Sequence, residues 1–254
     1  MCADAYAYSS MRVALISDMH GNAVGLDAVL AELEPVDEIV ALGDVAQGGA
    51  QPAEVVDRLH ALECRCVFGN SDEFLLTLDA DVTGEELDED AREQLLQRGE
   101  WSREQLGPER LEVLRGFEPI VRLDVDGERL VCCHATPESN IEVVLPETPR
   151  DRVAALVGDA GAVVGGHVHL QWLRRLGARF WACAGSVGLA YEHHDSEPSP
   201  ERPFEPWAEY AVVTGAPLRI EFRRVPFDVG AVVHAIRESG MPDADRFAAQ
   251  WQTS

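Results

Sequence analysis

Five short apolar runs in the chain each end abruptly in a polar turn, and the segments between the first of them carry apolar residues at helical spacing. Arg12 to Ile16 (RVALI) is continuous rather than alternating, the pattern of a strand covered on both faces. Ser17-Asp18-Met19-His20-Gly21-Asn22 follows it. Val24, Leu26, Val29, Leu30 and Leu33 then predict a helix that stops before Pro35. Ile39 to Leu42 predicts a second strand, ending in Gly43-Asp44. Pro52 suits the first turn of a further helix, with Val55, Val56, Leu59 and Leu62 on one face. It leads into a strand from Cys64 to Phe68 and the turn Gly69-Asn70-Ser71-Asp72. This alternation is that of an α/β protein, in which sites form at the carboxyl ends of the strands.

From about Ser71 to Gly116 the pattern changes. Leu75, Leu76, Leu78, Leu87, Leu95 and Leu96 are spaced through a segment crowded with Glu85, Glu86, Asp88, Glu89, Asp90 and Glu93. It predicts helices with an acidic, solvated outer face, inserted as a cap or lid. Strands return with Ile120 to Val125 and Arg129 to Cys133 around a tight Asp126-Gly127 turn. His134 ends that hairpin. Arg150 to Val157 predicts a helix, and Ala162 to Val164 a strand that runs into Gly165-Gly166-His167-Val168-His169. Strands near Arg179 to Cys183, Tyr210 to Thr214 and Arg219 to Val225 imply a second sheet packed on the first. Ser196 to Pro206 holds four prolines and predicts a surface loop. The organisation expected is one domain over 11–228, with the helical cap at about 71–116, and a helical tail over 229–254.

Composition narrows the chemistry. With 21 basic and 45 acidic side chains in 254 residues the formal charge is −24, which opposes non-specific nucleic-acid binding and adhesion to anionic membranes. No lysine occurs anywhere, so Schiff-base catalysis and a P-loop lysine are excluded, while phosphate chemistry that uses metal ions is not. No apolar run reaches the roughly 18 residues of a membrane span. The first ten residues, MCADAYAYSS, lack the basic start and apolar stretch of a secretory signal. Six cysteines without CxxC spacing are expected as reduced, mostly buried thiols, and the cytoplasm as the compartment.

Candidate metal ligands stand at five strand ends: Asp18 with His20, Asp44, Asn70, His134, and His167 with His169. Each has an ordinary explanation singly, as a turn former or a hydrogen-bonded histidine. Together they predict seven oxygen and nitrogen ligands at strand exits, none within a helix.

In their order and spacing these residues resemble the calcineurin-like metallophosphoesterases, in particular a branch of small bacterial and archaeal phosphodiesterases. The resemblance runs through SDMHGN at 17–22, LGDVAQGG at 42–49, FGNSDE at 68–73, CHATPES at 133–139, GGHVHL at 165–170 and AGSVG at 184–188. It implies a two-sheet sandwich flanked by helices and two divalent cations, manganese foremost, with iron, zinc or nickel as alternatives. It implies Asp44 as the bridging ligand, Asp18, His20 and His169 on one metal, and Asn70, His134 and His167 on the other. Asp44, Asn70 and His134 are the implied catalytic residues. The implied reaction is attack of a metal-bridging hydroxide on phosphorus in phosphodiesters or small nucleotide-like phosphates. A phosphomonoesterase, a protein phosphatase and a catalytically silent scaffold of the same fold stand as alternatives. Many relatives place a histidine after the Gly-Asn, where this chain has Ser71, so the source of the leaving-group proton is left open. Ser71 and Asn22 are candidates for substrate contact, and Asp72 for orienting a neighbour. His193 and His194 are expected in an exposed loop. His60 and His234 are expected as structural residues, and Trp172, Trp181 and Trp207 as core or edge aromatics.

Overall fold

The computed structural model describes residues 10–84, 86–192 and 204–251. Its first half contains β1 (Arg12–Ile16), α1 (Ala23–Glu32), β2 (Glu38–Ala41), α2 (Pro52–Ala61), β3 (Arg65–Cys66), α3 (Asn70–Thr77) and α4 (Glu89–Arg115). The hairpin β4 (Val121–Val125) and β5 (Glu128–Cys132) follows, then α5 (Arg150–Val157), β6 (Ala162–Gly165), β7 (Gln171–Leu176) and β8 (Arg179–Ala184). Last come β9 (Trp207–Thr214), β10 (Arg219–Pro226), α6 (Val229–Glu238), α7 (Ala244–Ala248) and a 3-10 turn at Ala249–Trp251.

Two five-stranded sheets result, in the orders β10-β9-β1-β2-β3 and β4-β5-β6-β8-β7. The β1, β2 and β3 strands pair in parallel, as do β5, β6 and β8, so both sets of strand exits lie at one end of the sandwich. Alternation along each strand sorts the side chains into layers. Val13, Leu15, Val40 and Leu42 of the first sheet meet Leu130, Cys132, Val164 and Ala182 of the second between the sheets. Ile16, Ala41 and Tyr210 face the helices on the outer side of the first sheet. Val131, Val163 and Trp181 face α5 on the outer side of the second. The α/β two-sheet sandwich flanked by helices is therefore present, and Trp172 and Trp181 are core residues. Among the described residues no helix is long and apolar enough to cross a membrane.

Five local features differ from the sequence expectation. The strands near Tyr210 to Thr214 and Arg219 to Val225, expected in the second sheet, join the first, because β9 pairs with β1 and β10 with β9. The strand read from Cys64 to Phe68 keeps only two ladder residues, because Val67 turns to bridge Glu118 and Phe68 N donates to Glu118 O. The edge strand β7 was not anticipated, since Arg174 and Arg175 interrupt the apolar pattern of QWLRRL. The helical insert holds α3 and α4, but Leu106, Leu111 and Leu114 join the core beneath α1 and α2, so the second half of α4 is part of the flanking layer. Of the loop expected from Ser196 to Pro206, 196–203 lies outside the described residues, as do His193, His194 and Glu85. Its described end, Phe204, is buried.

One buried carboxylate has a consequence for stability. Glu209 shares the inter-sheet face of β9 with Ala211 and Val213 and is 1% exposed. Arg224 Nε lies 2.9 Å from its Oε1, and Oε2 has no hydrogen-bond partner among the described residues. Burial pushes the Glu209 carboxyl from 4.5 up to about 7, against the pull of Arg224. The folded chain thus holds this proton more tightly than the unfolded chain, and stability falls as pH rises between those two values. Glu209→Gln, which cannot ionise, is expected to gain on the wild type by about 3 kcal/mol between pH 5 and pH 8. Paired denaturant titrations measure this difference; one that does not change with pH would refute it.

Candidate metal centre

At the strand exits the backbone takes conformations that L-residues seldom adopt. Asp18 (φ 53°), His20 (46°), Asp44 (53°), His167 (69°) and His169 (53°) are all left-handed. Such strain persists only where the surroundings over-determine it. Here the loops brace one another: Asp18 N donates to Gly43 O at 3.1 Å, His20 N to Asp44 O at 2.9 Å, and Gly188 N to Asp18 O at 3.0 Å. Ser186 Oγ also donates to Asp18 O, at 2.8 Å. Gly166 faces Ser17 and the Asp18 carboxylate so closely that a Cβ there would collide with both.

Three imidazoles are fixed by their outer nitrogens. Nδ1 lies 2.7 Å from Gln47 O in His20, 2.8 Å from Leu42 O in His134 and 2.9 Å from Leu189 O in His169. A carbonyl oxygen only accepts, so each Nδ1 donates and each neutral ring turns a bare Nε2 inward. Nε2 of His20 and Nε2 of His169 are 3.1 Å apart. Asn70 Nδ2 donates to Thr83 O, which leaves its Oδ1 2.8 Å from His134 Nε2. Asp18 Oδ1 is buried with no hydrogen-bond partner among the described residues. It is 3.3 Å from His169 Nε2 and 3.9 Å from His20 Nε2. Asp44 lies between the two sets, with Oδ2 3.6 Å from His20 Nε2 and Oδ1 3.4 Å from His134 Nε2. Acceptors that face acceptors in a buried site are satisfied by a cation. Two groupings have ligand atoms within 4.8 Å of one another: Asp18, His20 and His169, and Asp18, Asp44 and His134. An imidazole, carboxylate and amide donor set without thiolate fits manganese, iron or zinc better than calcium.

The titration behaviour follows from burial and charge. Burial and the neighbouring His169 hold His20 below its ordinary value. Burial also opposes protonation of His134 and His169, but Asp44 and Asp18 raise the first and Asp18 the second. His167 falls to about 4 through burial and the proximity of His134. Burial would raise Asp18, yet His169, His134 and His20 together hold it well below the usual carboxylate range.

The remaining candidates have defined positions. His167 lies edge-on to His134, ring centres 5.0 Å apart, and its backbone N–H donates to Asp18 Oδ2. Its ring belongs to neither close grouping. Asn70 departs from the expected pattern of ligands outside helices: it is the first residue of α3, after the Gly69 cap. Asp72, fully buried one turn into that helix, accepts from Asp44 N, Val45 N and Gly69 N at 2.9–3.0 Å. Ser71 donates to Asp44 from both N and Oγ. Asn22 caps α1 by accepting from Gly25 N, and its amide donates to Gly188 O. His60 and His234 are exposed on α2 and α6. Sequence reasoning missed the roles of Gln47, Leu42 and Leu189, because they act through backbone carbonyls. It also assigned no role to Ser186, although AGSVG had stood out as a motif.

A sequence profile of the calcineurin-like phosphoesterase superfamily domain matches residues 11–198. The chain belongs to that superfamily. It is 24% identical over 239 residues to an uncharacterized protein of Methanocaldococcus jannaschii, covering 91% of this chain and 94% of that one. Among solved structures it is similar to a metallophosphoesterase from Sphaerobacter thermophilus, with a TM-score of 0.73 and 25% identity, covering 95% of this chain and 99% of the other. A hypothetical protein from Pyrococcus horikoshii OT3 superposes with a TM-score of 0.76 at 18% identity, covering 96% and 100% of the two chains, a likeness of fold alone. The two-sheet architecture and the buried Asp and His groupings at its strand exits are thus those of a calcineurin-like chain.

Proposed function

We propose that this chain is a metal-dependent hydrolase of phosphodiesters or small nucleotide-like phosphates, working in the cytoplasm with two divalent cations, manganese foremost. The observation that carries this reading is the convergence of unpaired acceptors around Asp44. In the proposal Asp44 would serve both ions, Asp18, His20 and His169 would hold one, and Asn70, His134 and His167 would hold the other. Bound there, the ions would supply charge to the phosphoryl oxygens and make water an effective nucleophile near neutral pH. They would also offset, locally, the field of a chain with net charge −24.

The residues themselves perform the holding. The outward N–H bonds of His20, His134 and His169 aim their rings inward. Asp72 fixes the turn that presents Asp44, while Ser71 and Asn22, both buried, are the proposed candidates for substrate contact. The Ser71 hydroxyl already donates to Asp44 Oδ2 at 2.8 Å. It is therefore poorly placed to protonate a departing alkoxide, and a hydroxyl is a weak acid near neutral pH. Cleavage should depend on the leaving group's own stability.

The test is hydrolysis of matched mono- and diesters with added manganese. Diesters are expected to be preferred, and kcat/KM to fall steeply as leaving-group pKa rises across a series of aryl and alkyl esters. No metal-dependent turnover on any of them would count against the reading. A flat leaving-group dependence would instead show that a proton donor is in place.

A further inference from the structure

The helices after β10 approach the metal centre from two sides. On one side His20 shares a small cavity with Leu189, Val232, Ile236, Phe247 and Trp251, all of them apolar. On the other, aromatic rings run without a gap from His169 to the end of the described chain. Tyr191 stacks on His169 with ring centres 4.8 Å apart and planes 30° apart, and Phe204 stacks on Tyr191 at 5.7 Å and 15°. Trp251 meets Phe204 at 4.8 Å, and Phe247 meets it edge-on at 5.9 Å. Phe204, Phe247 and Trp251 are each at most 7% exposed and form one apolar cluster with Val232 and Ile236. The backbone closes the same contact, since Glu205 N donates to Ala190 O and Phe204 N to Gln250 O.

His20 and His169 are the two imidazoles whose bare nitrogens meet at 3.1 Å, in the grouping with Asp18. The tail lines a cavity with His20 and reaches His169 through Phe204 and Tyr191, while His134 and Asn70 lie on the far side of Asp44. Each ring of the pair is tethered by one Nδ1–H bond, about which it can still tilt. A stacked or apolar neighbour removes that freedom and keeps water from the ligand atoms, which strengthens attraction between a cation and the carboxylates.

We propose that the segment from Val229 to Trp251 is a positioning part of the metal centre, seating His20 and His169 through an apolar wall and an aromatic stack. This rests on the functional reading above, in which these two imidazoles serve one of two ions. Tyr191, Phe204 and Trp251 then act as positioning residues for that ion and leave the other largely unaffected.

The test is calorimetric titration of the full-length chain with Mn2+, comparing wild type, Trp251→Ala, Trp251→Phe and Tyr191→Leu. Two binding steps are expected in the wild type, one of them being the step lost in His169→Ala. Trp251→Ala should weaken that step about 10-fold and shift the other less than about twofold. Trp251→Phe should restore it, since the indole N–H has no hydrogen-bond partner among the described residues. Should Trp251→Ala fail to fold, Tyr191→Leu, at a half-buried position, makes the same measurement with the same expectation. Equal weakening of both steps, or a lower melting temperature with both affinities unchanged, would overturn the proposal while leaving the function intact. A wild type that binds no Mn2+ would overturn the functional reading itself.

Discussion

Asp44→Asn is expected to lower metal-dependent turnover of an activated diester by about 10³ or more while the fold survives. The substitution keeps size and shape. Ser71 N can still donate to the amide oxygen in place of Oδ1, and the Ser71 hydroxyl can accept from the new amide where it donated before. The change falls on the inward side. Oδ2, 3.6 Å from His20 Nε2, becomes an N–H group, and a carboxylate whose other oxygen is 3.4 Å from His134 Nε2 loses its charge. Removing an electrostatic contact of that kind costs about 4 kcal/mol of transition-state stabilisation, which is roughly 10³ in rate. Steady-state kinetics at saturating manganese, with a melting curve for each variant, provide the measurement. Turnover within tenfold of wild type would exclude Asp44 from the reaction.

The second large effect belongs to a residue behind the Asp44 turn. Asp72 is fully buried and accepts three backbone N–H groups, those of Asp44, Val45 and Gly69. Burial and the nearby Asp44 raise its carboxyl to about 7, so the position is held at an electrostatic cost for the sake of those three bonds. Asp72→Ala strands all three donors, at about 1–3 kcal/mol apiece, and should destabilise the chain by about 3 kcal/mol or more. Asp72→Asn can keep the two bonds to one oxygen and loses the third, so it should fall between. Ser71 holds the Asp44 side chain from the same helix, but the Asp44 backbone N–H donates to Asp72, so turnover should decline in the same order. Denaturant unfolding of the three proteins, with metal chelated throughout, checks the ranking. Loss of less than about 1 kcal/mol in Asp72→Ala would show that water satisfies these groups.

Much of this was legible in the sequence because the signals were of the strong kind. RVALI at 12–16 is a strand with the expected ends, and Arg150–Val157 is a helix with the expected ends. The six quoted motifs placed Asp18, His20, Asp44, Asn70, His134, His167 and His169 at one end of the sandwich before any coordinates. Failures occurred where tertiary context overrides local pattern. The second sheet accepts QWLRRL as an edge strand despite two arginines, because an edge leaves alternate side chains in solvent. Asn70 belongs to a helix because Asp72 caps Gly69 from within the first turn, an arrangement that Gly-Asn-Ser-Asp shares with ordinary turns. The left-handed backbone at Asp18, His20, Asp44, His167 and His169 left no trace, since Asp and His do not signal that conformation as glycine would. The aromatic contact from His169 to Trp251 joins residues 82 positions apart and has no periodicity to betray it.

The most direct measurement is anomalous diffraction at the manganese edge from crystals grown with Mn2+. Two peaks are predicted at the strand exits, one among Asp18, His20 and His169, the other beside Asn70 and His134, with the Asp44 carboxylate touching both. Crystals that show no peak there, or a single ion out of reach of Asp44, would contradict the two-cation centre.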